Sequence, residues 1–303
     1  MLGLLAAGTA VAYALGASSV MAFIASGNTQ YLAIVPQRIF SQIDVFALMA
    51  MPLFILAGEI MNRAGITKAL VDFAMAILGR LKGGLGHVNI MASVFFAGIS
   101  GSAVADAAAL SNTLVPAMVA RGYKPLYAAA ITAASSVIGP IIPPSIVMIF
   151  YGAVMQTSVA ALFVAGVVPG LLLAFVLFMG NAWFAHRDDH PGGVEADIPA
   201  FWPAFWQALP ALSLPVIILG GIVFGVVTPT EAAALTVIAA LAVGLWYGGL
   251  ARSDLSRSLV QTAALTGAIF MILSAVACFS WLAGHEQLPQ RLAGFVTELG
   301  LGK

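Results

Sequence analysis

Apolar residues fill this chain in runs of about 20, the length that crosses a bilayer as a helix. Unbroken runs predict spans over 2–24, 45–61, 160–184, 209–227, 230–250 and 261–283. Two other runs are interrupted near their middle. One is cut at Gly98-Ile99-Ser100-Gly101-Ser102-Ala103, and the other between Ser135-Ser136 and Pro143-Pro144-Ser145. Lipid offers no water to unpaired backbone, so such breaks persist only inside protein or beside a polar cavity.

The first interrupted run, 87–119, splits into halves of about 13–16 residues, short for a crossing at ~1.5 Å per residue. A re-entrant hairpin is expected there. The second, 125–156, is expected to cross as a broken helix. Between 63 and 82, Ile66, Leu70, Phe73, Ala74, Ile77, Leu78 and Leu81 share one helical face, with Lys68, Asp72, Arg80 and Lys82 elsewhere. That pattern suits an arm helix lying in the membrane interface, and equally a helix in a cytoplasmic loop. Residues 186–207 form the longest polar segment and read as a linker.

Composition sharpens the fold class. Of 303 residues, 61% are hydrophobic and 8% charged, against about 25% charged in a soluble domain. The chain is expected to be an all-α polytopic membrane protein in contact with membrane lipids. Net charge is zero and no basic cluster points to nucleic acid. Cys278 is the only cysteine, so no internal disulfide is possible, and the first basic residue is Arg38, so no signal peptide is expected. On this path Arg63, Lys68, Arg80, Lys82, Arg121, Lys124, Arg187, Arg252 and Arg257 fall on one side, with Arg38, Arg291 and Lys303 on the other. The basic side is expected to be cytoplasmic, which places linker 186–207 there.

A weak internal echo suggests a repeat. The segment 65–73 resembles 287–295, and Leu-Ala-Gly recurs at 56–58 and 282–284, each followed by an acid, Glu59 and Glu286. On the expected path the two copies have opposite orientation, the mark of an inverted-topology repeat. The expected organisation is then a first repeat over 1–185, the linker, and the start of a second repeat over 208–303. The repeat is incomplete: its second hairpin and second broken helix would lie beyond Lys303, which suggests a truncated protein.

The breaks hold the candidate chemistry. Pro140, Pro143 and Pro144 lack amide hydrogens, which frees the carbonyls of Ser136, Gly139 and Pro140. Freed carbonyls with the hydroxyls of Thr132, Ser135, Ser136 and Ser145 can ligate a hard cation. At the tip Ser100-Gly101-Ser102, a helix ending near Gly98 offers carbonyls to a cation, and one starting near Ala103 offers amides to an anion. A hard cation is therefore assigned to Ser100, Gly101, Ser102, Asp106, Ser135, Ser136, Gly139 and Pro140, the sites the family resemblance given below would make those of sodium. An acidic substrate is assigned to Ser100, Ser102, Pro143, Pro144 and Ser145. Asp106 either satisfies first-turn amides or holds the ion. Asn112 and Thr113 read as packing groups, Glu231 as part of the capping box Thr228-Pro229-Thr230-Glu231, and Glu59 as a partner of Arg63. The run 186–190 reads as a solvated loop rather than a transition-metal site. Trp183, Trp202 and Trp206 read as interfacial anchors.

These stretches resemble the large membrane subunit of tripartite ATP-independent periplasmic (TRAP) transporters, within the ion-transporter superfamily. The likeness runs through Met51-Pro52-Leu53-Phe54-Ile55-Leu56-Ala57-Gly58-Glu59, the segment 96–106, the segment 132–145, Leu214-Pro215 to Gly221, and 228–233. The resemblance implies sodium-coupled import of organic acids, C4-dicarboxylate or sialate-like, by an elevator motion in a bacterial inner membrane. It also implies two protein partners: a periplasmic substrate-binding protein and a small four-helix membrane subunit. No cofactor beyond the coupling sodium ions is implied. The alternative is a sodium/anion symporter of the same superfamily that works without a binding protein. An enzyme is not expected, since His87 has no clear partner at membrane depth and no HExxH occurs. A passive channel could also use broken helices.

Overall fold

Long stretches of Ala, Leu, Ile and Val make helix the default of this chain. A computed structural model describes residues 1–192 and 198–298, and their regular elements are all helical. In order these are α1 Leu2–Ala6, α2 Val11–Ala25, α3 Val35–Ile43, α4 Ala50–Arg63, α5 Ile66–Leu78, α6 Gly84–Ser100, α7 Ala103–Ala120, α8 Pro125–Ser136, α9 Ile146–Val154, α10 Val159–Arg187, α11 Phe201–Val223, α12 Pro229–Trp246, α13 Arg252–His285 and α14 Leu288–Glu298. Two 3₁₀ turns, Thr29–Ala33 and Phe46–Met49, complete them. Among the described residues, 6 helices are long and apolar enough to cross a membrane. The chain is an all-α, multi-pass membrane protein.

It divides into two compact units, 1–45 with 264–303, and 46–263. In the first, an aromatic cluster ties the N-terminal helices to the end of α13. Trp281 lies 4.9 Å from Phe23 and 5.1 Å from Tyr31 between ring centroids, and His285 lies 4.7 Å from Tyr31. The Arg38 guanidinium sits 6.0 Å over the Trp281 ring. The continuous span expected over 2–24 is instead split, because the chain turns through Gly8 between α1 and α2. The echoed segments do share a local form. Each helix, α5 and α14, follows a residue with positive φ, Gly65 at 80° and Gln287 at 52°.

In the second unit α4 packs along α12, α5 against α6 and α11, and α6, α7 and α8 against one another. The arm helix α5 buries more than the expected stripe. Ala69, Val71 and Met75 join Ile66, Leu70, Phe73 and Ala74 inside, whereas Ile77 is 41% exposed and Leu81 also faces out. Packing on two neighbours explains the shift: Phe73 meets Phe95 of α6 and Phe205 of α11 at 5.7 Å each. Glu59 pairs with Arg63 at 3.5 Å, and Thr228 with Glu231 forms a complete capping box, both as expected.

The expected linker is shorter than 186–207. α10 continues to Arg187, with His186 and Arg187 in the favourable last turn. α11 already begins at Phe201 and includes Trp202 and Trp206. Residues 193–197, and 299–303 with Lys303, lie outside the described residues. Within 186–190, His186, Arg187, Asp188 and Asp189 are exposed, as expected of a solvated segment, but His186 and Arg187 are helical and His190 is buried. His190 is 5% exposed, its ring 4.9 Å from Tyr123 and 4.4 Å from Tyr127. Asp189 Oδ1 accepts from Lys82 Nζ at 2.6 Å, which holds its carboxyl below the usual range. The Pro191 carbonyl accepts from the Gly83 amide and the Tyr123 hydroxyl, both at 3.3 Å. The segment thus latches onto the turn before α6. Among the described residues no acidic, histidine and cysteine cluster could hold a metal.

Two outcomes follow from this packing. Leu70 is 0% exposed, so Leu70→Ala should destabilise the protein by about 2–5 kcal/mol. Ile77→Ala should leave thermal unfolding in detergent nearly unchanged. Burial, aided by Lys124 and opposed by Asp188, lowers the His190 pKa from 6.5. The unfolded chain takes up this proton near pH 6.5 and the folded chain only below it, so the latch is most stable above 6.5 and weakens as pH falls. The protection factors of the Asp188 and His190 amides against hydrogen exchange should fall on acidification, and His190→Phe should remove that fall.

Candidate functional site

The two chain breaks meet. α6 ends not at Gly98 but at Ser100, and Gly98 stays helical. Its missing side chain serves close approach instead, since a Cβ there would lie 2.6 Å from Pro215 Cγ of α11. The turn occurs at Gly101, whose φ is 59°, a value glycine adopts without strain. Ser102 then caps α7 with extended backbone, its Oγ accepting from the Ala105 amide at 3.4 Å. The helices so joined have 17 and 18 residues, longer than the halves expected from sequence.

The second break runs from the end of α8 at Ser136 to the start of α9 at Ile146. It is packed directly on the tip. A Cβ on Gly101 would strike the Pro144 carbonyl and lie 3.1 Å from Ser145 Cα. One on Gly139 would strike Asp106 Oδ2 and lie 3.3 Å from the Ser102 carbonyl carbon. α4 backs the same point: a Cβ on Gly58 would lie 3.3 Å from Ser100 Cα. Four segments therefore converge where no side chain fits between them.

The polar atoms at this junction divide into satisfied and unsatisfied. Of the three carbonyls expected to be free, two are engaged. The Ser136 carbonyl accepts from the Gly139 amide at 3.1 Å, and the Pro140 carbonyl from Ser145 Oγ at 2.6 Å. Ser145 Oγ also accepts from the Met148 amide at 3.3 Å and so caps α9. Among the described residues, no hydrogen bond reaches the carbonyls of Gly139, Gly98, Ile99 or Ser100. Asp106 is 0% exposed. It does not cap amides, a role Ser102 fills. Its Oδ1 accepts from Ser100 Oγ, and its Oδ2 has no hydrogen-bond partner. Pro143 and Pro144 are buried behind the tip, joined by a cis peptide. Asn112 and Thr113 are exposed rather than packed, and lie away from the junction.

Sequence reasoning missed a second set of polar groups. Asn89 Nδ2 donates to Thr132 Oγ1 at 2.6 Å, and Ser93 Oγ donates to Ser135 Oγ at 2.8 Å. Ser135 Oγ lies within donating reach of Asn89 Oδ1 at 3.2 Å. All four are buried and clamp α6 to α8 just before each chain break. The signal was present: Asn89 and Ser93 are four apart in an otherwise apolar run, as are Thr132 and Ser136. Ser135, assigned to the ion, turns into this clamp, and Ser136 Oγ donates to the Thr132 carbonyl at 2.7 Å. His87, four residues before the tip helix reaches Met91, is stacked 5.6 Å from Phe178.

A helical membrane protein whose two broken segments enclose unpartnered oxygens belongs with the membrane carriers. The chain belongs to the family described as "Tripartite ATP-independent periplasmic transporter, DctM component", whose model matches residues 1–303. It is therefore a transporter permease of the bacterial inner membrane and not an enzyme. It is 39% identical over 295 residues to the sialic acid TRAP transporter large permease protein SiaM of Vibrio cholerae, covering 97% of this chain and 69% of that protein. It is 34% identical over 316 residues to the C4-dicarboxylate TRAP transporter large permease protein DctM of Rhodobacter capsulatus, covering 99% and 72%. It is 36% identical over 302 residues to the 2,3-diketo-L-gulonate TRAP transporter large permease protein YiaN of Escherichia coli, covering 99% and 70%.

Removing Asn89 would take a donor from Thr132 Oγ1 and an acceptor from Ser135 Oγ at a buried interface, leaving them their bonds to Ala128, Thr132 and Ser93. Asn89→Ala should cost about 1–3 kcal/mol, read as a lower melting temperature of the purified transporter.

Proposed function

We propose that this chain is the permease of a sodium-coupled importer of organic acids delivered by a periplasmic substrate-binding protein, working with a small four-helix membrane subunit. The observation that carries this reading is the orphaned Asp106 Oδ2 facing Gly139 at the meeting of the two breaks. A buried carboxylate oxygen beside carbonyls without donors suits a small hard cation. Asp106 with the carbonyls of Gly139 and of 98–100 would hold sodium. Ser100 fixes the other carboxylate oxygen, and the clamp of Asn89, Ser93, Thr132 and Ser135 holds the two helices in register around it.

The organic-acid class rests on the relatives, named for sialic acid, C4-dicarboxylate and 2,3-diketo-L-gulonate. The half-buried hydroxyls of Ser100 and Ser102 form the surface offered to the solute carboxylate, with Pro143, Pro144 and Ser145 buried behind them as its support. The pair α6–α7 is read as a re-entrant hairpin because its tip is buried against the middle of the α8–α9 crossing. In an elevator cycle this assembly carries ion and solute between the two faces, and α5 and α14 open the two halves of an inverted repeat.

The test is uptake in proteoliposomes by the permease with its binding protein and small subunit. An inward sodium gradient should drive accumulation of an organic acid. Asp106→Asn should raise the half-saturating sodium concentration roughly tenfold or more, since a neutral amide replaces the charge facing the ion. Uptake that ignores the sodium gradient would refute the proposal, and uptake unaffected by omitting the binding protein would favour a binding-protein-independent symporter.

A further inference from the structure

Within the second unit, the start of α5, the first turns of α11 and the end of α12 line an open cavity of about 540 Å³. Its wall carries Lys68, Asp72, Trp206, Gln207, Trp246 and Tyr247. Three features set it apart from an ordinary surface dent. Lys68 and Asp72 stand one helical turn apart, the spacing at which opposite charges commonly pair. Yet among the described residues no salt bridge joins them, and Asp72 accepts no hydrogen bond. The Tyr247 hydroxyl is likewise buried with no hydrogen-bond partner. Two indoles border the space, Trp206 near the beginning of one apolar helix and Trp246 as the last residue of another, both largely exposed. Tryptophans at the ends of membrane-crossing helices mark headgroup depth.

Two unpaired opposite charges, an orphaned hydroxyl and aromatic faces complement a zwitterion that carries both an ammonium and a phosphate. We propose that this cavity binds the headgroup of a phospholipid bearing a primary ammonium, phosphatidylethanolamine, with Asp72 taking the ammonium between Trp206 and Trp246 and Lys68 taking the phosphate. The Tyr247 hydroxyl and Gln207 supply further hydrogen bonds to the phosphate and ammonium. The acyl chains lie along the apolar faces of α11 and α12. A primary ammonium donates hydrogen bonds to a carboxylate, which a trimethylated one cannot do, while the indole faces add cation–π attraction. Burial also lifts the Asp72 pKa, with Lys68 only partly opposing it.

The test is native mass spectrometry of the purified, delipidated transporter assembly offered phosphatidylethanolamine, phosphatidylglycerol and phosphatidylcholine at equal concentration. Phosphatidylethanolamine should be retained over both others. Asp72→Asn should reduce its retention about fivefold, the worth of one partly screened ion pair, and leave phosphatidylglycerol unchanged. Lys68→Gln should weaken retention of all three. Trp246 is 85% exposed, so Trp246→Leu can be made without disturbing the core, and it should also lower phosphatidylethanolamine retention. Equal retention of the three lipids, or no change in both Asp72→Asn and Trp246→Leu, would reduce the contact to annular lipid and overturn the proposal. Retention that appears only after the small membrane subunit is stripped away would assign the cavity to that partner instead, which also overturns it.

Discussion

Backbone withdrawn from a helix must be kept away from lipid, and the contact between the tip at Gly101 and the loop 137–145 buries the two breaks against each other. Neither segment could stand alone. The tip buries its turn against Pro144 and Ser145, and the loop buries Gly139 against Ser102 and Asp106. Most of the resulting donors and acceptors are matched locally: Ser102 and Ser145 cap the helices that restart, and Ser145 also covers the Pro140 carbonyl. The oxygens left over lie where the two breaks face each other.

The surroundings keep that meeting in place. The hydroxyl and amide clamp between α6 and α8 fixes the helices on the near side of each break, where a slip of one residue would separate the tip from the loop. α4 and α11 close on the tip from two further directions through Gly58 and Pro215. The latch of 188–191 on the turn before α6 secures the far end of the same helix through an ion pair, two backbone contacts and the His190 box.

Much of this was legible in the sequence, and the gaps have physical causes. Hydropathy located the membrane helices because lipid exposure imposes one strong compositional rule. The breaks were legible because glycine and proline act locally. Their exact chemistry was not. Gly98 looks like a break in sequence, but only the nearness of Pro215 shows that it serves packing. Proline spacing identifies which carbonyls lose a helical donor, but not that Gly139 N–H and Ser145 Oγ replace it for Ser136 and Pro140. Asp106 has the sequence of a first-turn cap, and only the fold turns its carboxylate toward Gly139. The clamp needed two runs 40 residues apart to be brought side by side, as the Asn89–Thr132 and Ser93–Ser135 bonds do. At 186–190 polarity marked the exposed residues, but not that Asp189 and Pro191 would find partners in Lys82 and Gly83.

The convergence on Gly98, Gly101 and Gly139 leaves no gap wide enough for even one added methyl carbon. The seam is therefore held by the absence of side chains: a larger residue at any of the three would part the tip from the loop or from Pro215.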